Sequence, residues 1–369
     1  MLDQSLVIWF PGPRTATGED LAELHCHGGR AVVGAIETEL NSMKGLRGAE
    51  PGEFTRRAFA NGIIDLAEAE GLGDLLAAET ELQRRAAQAA AGGGLSRRVE
   101  EWRTQVLFLS AHVEAQLDFG DEDDVGGLTE VFHVELGDLL RDWQNALEAP
   151  RAERLRDGIR VVFAGPPNSG KSSLFNAILE EGAAIVSAEA GTTRDVIERP
   201  VALRGVPFVL VDTAGLRDEG AGEIESIGIN RARMEVARAD IVLWLGPEGQ
   251  GPEEALEVAS RADVEPEAKQ AAAYSVSSVT GFGLDRLVDG LIEQARRLLP
   301  RPGDSVLNAR QSSALAEAFE ILAEGSESED LLVVAERLRV SRLALDRLLG
   351  RHSTEDMLDA LFGRFCIGK

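Results

Sequence analysis

The sequence predicts an α/β domain inserted into an all-α helical domain and preceded by a partial α+β piece. Three observations predict it. Buried-strand patterns at Arg160–Gly165, Val206–Val211 and Ile241–Leu245 alternate with helical stretches, as in a parallel α/β sheet. On either side, long Ala-, Leu-, Glu- and Arg-rich stretches place apolar residues at helical spacing. The length of 369 residues, at roughly 150 per domain, leaves room for two or three domains with cores of their own.

Taken in order, residues 1–60 combine an apolar run, Leu6–Phe10, with Gly and Pro punctuation and a helix from about Arg30 to Ser42, which makes a small α+β piece. Residues 61–155 read as the first helical part, with Leu72, Leu75 and Leu76 and then Val106, Leu109, Val113 and Leu117 on apolar faces. The acidic run Asp118–Asp124 and the pair Gly126-Gly127 interrupt it, and one further helix is expected from about Leu128 to Arg156. Residues 156–300 form the α/β domain. Residues 301–369 return to helices: about Ser313–Glu324, about Asp330–Leu349, and a last one opening at Ser353, where Asp356 completes a variant of the capping box.

Composition excludes several functions. With 38 basic and 63 acidic residues the net charge is −25, the wrong sign for a general phosphate footprint, so contact with RNA should be local or borrowed from a partner. Cys26 and Cys366 lie at opposite ends of the chain and build neither a disulfide framework nor a four-cysteine zinc site. With no basic region before an apolar run and no membrane-length apolar stretch, the chain reads as cytoplasmic. His25-Cys26-His27 is not expected to hold a metal, because successive strand residues point to opposite faces and no further ligands lie nearby. The acidic run lacks the glycine and terminal glutamate of a calcium loop.

Gly165-Pro166-Pro167-Asn168-Ser169-Gly170-Lys171-Ser172 fits G-x-x-x-x-G-K-[ST], a P-loop, between a strand and a helix. Glycines let backbone N–H groups wrap a diphosphate, the helix N-terminus adds positive potential, Lys171 reaches the β and γ phosphates, and Ser172 offers its hydroxyl to Mg²⁺. Ser173 follows on the same turn. Asp212-Thr213-Ala214-Gly215 ends the second strand, placing a carboxylate beside the magnesium and the Gly215 N–H at a γ-phosphate. Between the two, Gly191-Thr192-Thr193-Arg194-Asp195 supplies threonines, Thr193 above all, that can close over the metal. Guanine needs an acidic side chain, usually within N-K-x-D. Here Ser260-Arg261-Ala262-Asp263 keeps Asp263 while Ser and Arg replace Asn and Lys, and Ser277-Ser278 would supply the last base-contacting loop. The stretch from Leu245 to Ser260 is short, so a helix is expected to be trimmed there.

GPPNSGKSS, AGTTRD, DTAGLRD, the EIESIGI of Glu223–Ile229 and the C-terminal FCIGK of Phe365–Lys369 together resemble the MnmE/TrmE family of tRNA-modification GTPases. The resemblance extends to FPGPRTATGEDLAELHCHGG at residues 10–29 and to residues 51–76. It implies a Ras-like P-loop GTPase domain, and GTP hydrolysis coupled to placing an aminomethyl-type group on the wobble uridine of certain tRNAs. An FAD- and NADH-using partner, MnmG/GidA, a tetrahydrofolate one-carbon derivative, a homodimer and K⁺ are implied with it. On this resemblance Asn168 matches a K⁺ ligand, the loop Ser187–Gly191, including Glu189, completes that site, and Glu225 orients the attacking water. Read from the residues alone, Glu225 is a solvated helix-start carboxylate. Arg194, Asp195 and Arg217 match switch positions, and Cys366 matches the cysteine of the C-terminal signature, with a buried structural thiol as the alternative.

Against the family pattern the chain begins inside the N-terminal domain, without its opening strands. Glu23, His25, His27 and Gly28 are the folate candidates left, with a polar loop closing a strand as the alternative. A non-catalytic nucleotide- or partner-binding scaffold is the rival function. A ribosome-assembly GTPase is disfavoured by the absence of a basic RNA-binding domain.

Overall fold

The computed structural model describes residues 1–119, 128–184, 197–213, 232–265, 269–301, 306–325, 330–351, 355–363 and 365. In chain order the elements are β1 (Leu6–Phe10), β2 (Leu21–His25), α1 (Arg30–Ser42), α2 (Glu53–Ala60), α3 (Leu66–Ala77), α4 (Glu81–Ala91), α5 (Gly94–Phe119), α6 (Glu130–Glu148) and α7 (Ala152–Asp157). Then follow β3 (Ile159–Ala164), α8 (Lys171–Glu181), β4 (Ala183–Ala184), β5 (Ile197–Leu203), β6 (Val206–Asp212), β7 (Ile241–Trp244), β8 (Leu256–Ala259), β9 (Tyr274–Ser275) and α9 (Leu284–Leu298). Helices α10 (Ala309–Gly325), α11 (Leu331–Leu348) and α12 (Glu355–Phe362) end the chain, and residues 232–238 are also helical.

The chain divides into two units. One comprises Met1–Leu76, Ala87–Leu147 and Arg310–Lys369, and the other Ala77–Ala86 and Glu148–Ala309. In the first unit three helices share one sequence device. The buried residues of α5 are Leu95, Val99, Trp102, Val106, Leu109 and Val113, those of α6 include Phe132, Leu136, Leu139 and Trp143, and those of α11 include Val334, Leu338, Ser341, Leu345 and Leu348. Steps of four and three residues keep such a stripe on one side of a helix and suit near-parallel packing. Trp102 and Trp143 meet edge to face with centroids 6.3 Å apart. Leu117 and Leu76, expected on these faces, are 40% exposed, so both apolar stripes end earlier than their sequences do.

The single helix expected from Leu128 to Arg156 is two helices, α6 and α7. Pro150 separates them: proline disfavours helical backbone in the residue before it and brings no N–H to continue the ladder. Ser353 and the side chain of Asp356 lie outside the described residues. No helix among the described residues is long and apolar enough to cross a membrane.

The second unit is built on a seven-stranded sheet in the order β4-β5-β6-β3-β7-β8-β9. The expected parallel sheet holds for β6, β3, β7, β8 and β9, but β5 runs antiparallel to both its neighbours, β4 and β6, so the sheet is mixed. Strand β5 escapes the sequence patterns because Glu198, Arg199 and Pro200 interrupt its apolar run. Its register with β6 comes from a two-residue turn, Arg204-Gly205, with φ of 50° and 83°, the pair of positive values that a tight hairpin uses. Between β7 and β8 residues 246–255 form turns and bends and no helix, as the Pro247 and Pro252 content and three glycines dictate. Helix α9 buries Leu284, Leu287, Val288, Leu291, Ile292 and Ala295, which join the core with Phe163, Leu174, Phe175 and Phe208.

Candidate functional site

Strand β3 is buried nearly throughout and ends at Ala164, from which the backbone turns through Gly165 at φ 149° and returns through Gly170 at φ 89° into α8. Both values belong to glycine. A Cβ on Gly165 would also stand 3.0 Å from the backbone nitrogen of Gly246 and from Ser169 Oγ. The loop between them, with Asn168 at φ 60°, opens its backbone toward the start of α8, where unpaired N–H groups and the helix dipole favour an anion. Lys171, 6% exposed, folds back so that its ammonium donates to the carbonyls of Gly165 at 3.1 Å and Pro166 at 2.8 Å. Ser172 and Ser173 are exposed on the first turn of the same helix.

Asp212 ends β6 beside Phe163 of β3 and is 3% exposed. The next residue, Thr213, donates its hydroxyl to the Phe163 carbonyl at 2.7 Å, which ties the end of β6 to β3 just before the loop. The sheet thus brings Lys171, Ser172 and Asp212 to one edge, the carboxyl ends of its parallel strands, where α/β sheets bind ligands. A cavity of about 500 Å³ opens there, lined by Pro166, Lys171, Thr213, Val236, Trp244 and Pro252 among others.

The residues of the altered guanine motif act on the phosphate loop, an arrangement that sequence reasoning missed. Ser260 Oγ donates to the Ser169 carbonyl at 2.8 Å, and the Arg261 guanidinium donates to the Asn168 carbonyl at 2.8 Å. The Arg261 guanidinium lies on the loop backbone, and the residue's own φ is 60°. Asp263 is exposed two residues on. Ala262 N–H donates to the Val276 carbonyl at 3.0 Å, which joins this loop to the one after β9. In that second loop Ser277 is fully buried. Its N–H donates to the Phe282 carbonyl, and its carbonyl and hydroxyl accept from the N–H groups of Gly281 and Thr280, so it shapes the turn; Ser278 is half-buried. No spacing rule announces the contacts of Ser260 and Arg261 with the phosphate loop, which span 91 and 93 residues of chain.

At the N-terminus, Glu23 lies 3.0 Å from His25 Nε2. His27 meets the Asp3 carboxylate through its backbone N–H at 2.9 Å and through Nδ1 at 2.7 Å, and the backbone bond leads in holding the Asp3 carboxyl below its ordinary pKa. Three of the four folate candidates, Glu23, His25 and His27, are therefore engaged with other side chains. No group of three or more His, Cys, Asp or Glu that could hold a metal occurs among the described residues. Ser187, Glu189, Thr192, Thr193, Arg194, Asp195, Gly215, Arg217, Glu225 and Cys366 lie outside the described residues.

Against known families, the MnmE helical domain matches residues 66–366, and the N-terminus of the GTP-binding protein TrmE matches residues 1–63. The tRNA modification GTPase MnmE of Erythrobacter litoralis is 62% identical over 369 residues, covering all of this chain and 87% of its own length. That of Novosphingobium aromaticivorans is 58% identical over 381 residues with the same coverage. Among solved structures, the G domain of the T. maritima FeoB iron transporter aligns with 37% of this chain and 98% of its own at 23% identity and a TM-score of 0.27, too low to add to the fold described above.

Proposed function

Because the chain belongs to the MnmE family of tRNA modification GTPases, we propose that its α/β unit hydrolyses GTP to drive a step in modifying the tRNA wobble uridine. The observation that supports the reading most is the glycine-framed loop between β3 and α8 with the Lys171 ammonium folded over it, a cradle that a side chain at Gly165 would crowd.

In this reading the backbone N–H groups of residues 168–173 and the Lys171 ammonium bind the phosphates. Ser172, Thr193 and Asp212 hold Mg²⁺, which neutralises charge on the phosphate oxygens when bound. Thr192 and Gly215 contact the terminal phosphate. Asp263 accepts from the guanine ring and amino N–H groups, with Ser277 and Ser278 beside the base. Asn168 with Ser187 and Glu189 holds K⁺, whose positive charge would act in place of an arginine finger, and Glu225 orients the attacking water. In this reading its domains are residues 1–60, 61–155, 156–300 and 301–369. Further out, the reading includes an MnmG/GidA-like FAD partner that contributes most of the tRNA contact, a homodimer, a tetrahydrofolate one-carbon derivative near Glu23 and His27, chemistry near Cys366, and work in the cytoplasm.

The test is hydrolysis of GTP and ATP by the purified chain in potassium and in sodium buffers, with Glu225→Ala beside it. Potassium-stimulated GTP turnover that the variant loses is expected; no turnover in either salt would leave the scaffold reading in its place.

A further inference from the structure

Arg160 is the second residue of β3, the strand that runs into the phosphate loop. Its Nη2 donates to two carboxylates at once: Glu198 of β5, at 2.5 Å, and Glu235 in the helical residues 232–238. The three side chains are 21%, 46% and 10% exposed, so Glu235 is the carboxylate that depends most on this cation. The register explains the meeting. Arg160 lies beside Val209, and Glu198 beside Val211, so both occupy the same face of the sheet on either side of β6. Burial draws the guanidinium pKa down, and the bonds to Glu198 and Glu235 outweigh it, for a net rise. The Arg160 backbone is held as well: its N–H donates to the Asp240 carboxylate at 3.0 Å and its carbonyl accepts from the Asp240 N–H at 3.0 Å. Asp240 in turn pairs with Arg154 at 3.1 Å.

The two carboxylates occupy particular places in the chain. Glu198 follows Thr193 by five residues, and Glu235 follows Glu225 by ten. One nitrogen on β3 thus grips, among the described residues, the first strand after the threonines proposed to meet metal and phosphate and the first helix after the carboxylate proposed to orient water. Two carboxylates this close repel each other unless a cation lies between them, and the cation stands on the strand that ends in the phosphate loop.

We propose that Arg160 is a positioning residue for hydrolysis: through Glu198 and Glu235 it fixes the elements that follow Thr193 and Glu225 to β3 and so to the phosphate loop. The inference rests on the GTPase reading. It goes beyond it by assigning a role in turnover to a triad that touches neither nucleotide nor metal.

The experiment compares steady-state GTP hydrolysis, GDP affinity and thermal melting for the native chain, Arg160→Met, Glu198→Gln, Glu235→Gln and the double Gln variant. Arg160→Met is expected to lower kcat about tenfold with KM and GDP affinity within about twofold, as loss of alignment without loss of binding would. The two Gln substitutions are expected to be non-additive in kcat, because they share one donor nitrogen. Should Arg160→Met fail to fold, Glu198→Gln decides. It neutralises a half-exposed carboxylate and leaves the Arg160–Glu235 pair intact, and a fall in kcat of about threefold at unchanged KM is expected from it. Native-like kcat in the folded variants, additive Gln effects, or a KM that rises and a GDP affinity that falls by as much as kcat does would each overturn the proposal. A native chain without GTP turnover would instead remove the GTPase reading on which it rests.

Discussion

In the helical unit Arg310 reaches across 240 residues of chain to grip Glu70 with two bonds of 2.7 and 2.8 Å, while also donating to the carbonyls of Arg347 and Leu348. In the α/β unit Lys171 reaches back five and six residues to two carbonyls of its own loop. The first arrangement pairs a cation with a carboxylate and joins α3, α10 and the end of α11. The second places a buried ammonium against two carbonyls of the phosphate loop, at a helix N-terminus where an anion would be drawn in. Similar contrasts recur: Asp346 takes Arg103 at 2.8 Å and Arg351 at 3.3 Å in the helical unit, whereas Ser260 and Arg261 take backbone carbonyls of the phosphate loop. Charge in the first unit is spent on holding distant segments together, and charge at the sheet edge is placed for a ligand.

The contrast can be broken at either end. Lys171→Ala should lower kcat/KM for GTP on the order of 10²–10³-fold, as loss of an electrostatic contact to developing charge does, while the melting temperature holds. A melting transition that falls along with the activity would place Lys171 among the structural cations. Arg310→Ala should do the reverse. Glu70 keeps 15% and Arg310 25% of their side-chain surface exposed, so the loss should be about 2–3 kcal/mol in urea unfolding, below that of a fully buried pair, with GTP turnover unchanged. Turnover that collapses with stability intact would sink this half of the comparison.

A smaller effect sharpens the middle ground. Ser260→Ala removes one neutral hydrogen bond to the phosphate loop, worth about 1 kcal/mol, so GTP affinity should fall about fivefold, read by fluorescence titration with a labelled nucleotide. An unchanged affinity would mean that the loop holds its shape without this contact. The smallest effect is at the surface of the helical unit. Glu53 is held to a pKa of about 2 by the Arg47 guanidinium, with the Glu50 N–H and Arg57 adding to it. A carboxylate with a depressed folded-state pKa stabilises the fold above its ordinary value of 4.5, and that contribution is lost as pH falls toward 2. A carbon-detected NMR titration of Glu53 should find its midpoint near 2; a midpoint near 4.5 would show the pair to be unformed in solution.

The legible parts of the molecule are those whose cause is local. The phosphate loop can be read because its glycines and its lysine lie between a strand and a helix that directly adjoin it, and α1 because its apolar spacing and bounding glycines are contiguous. The break at Pro150 is also written locally, although the helical composition on both sides of it predicts one continuous helix. Strand β5 was not legible, since Pro200 argues against a strand and only the pairing of β5 with β6, which sets Pro200 beside Val209, shows that it lies in one. At the guanine motif the identity of Asp263 could be read, whereas the destination of the Ser260 hydroxyl could not.

By itself the sequence determined where a phosphate would bind, which segments would be helices, and that acidic charge would dominate, because each depends on spacing along a few turns or on a sum over residues. Only the tertiary structure decided which polar groups meet. Ser260 bonds a residue 91 positions away, and Arg160 bonds residues 38 and 75 positions away. The strand order β4-β5-β6-β3-β7-β8-β9 places these residues side by side. Such an order is set by the packing of whole strands and helices against one core, a property of the folded chain that no short window of it contains.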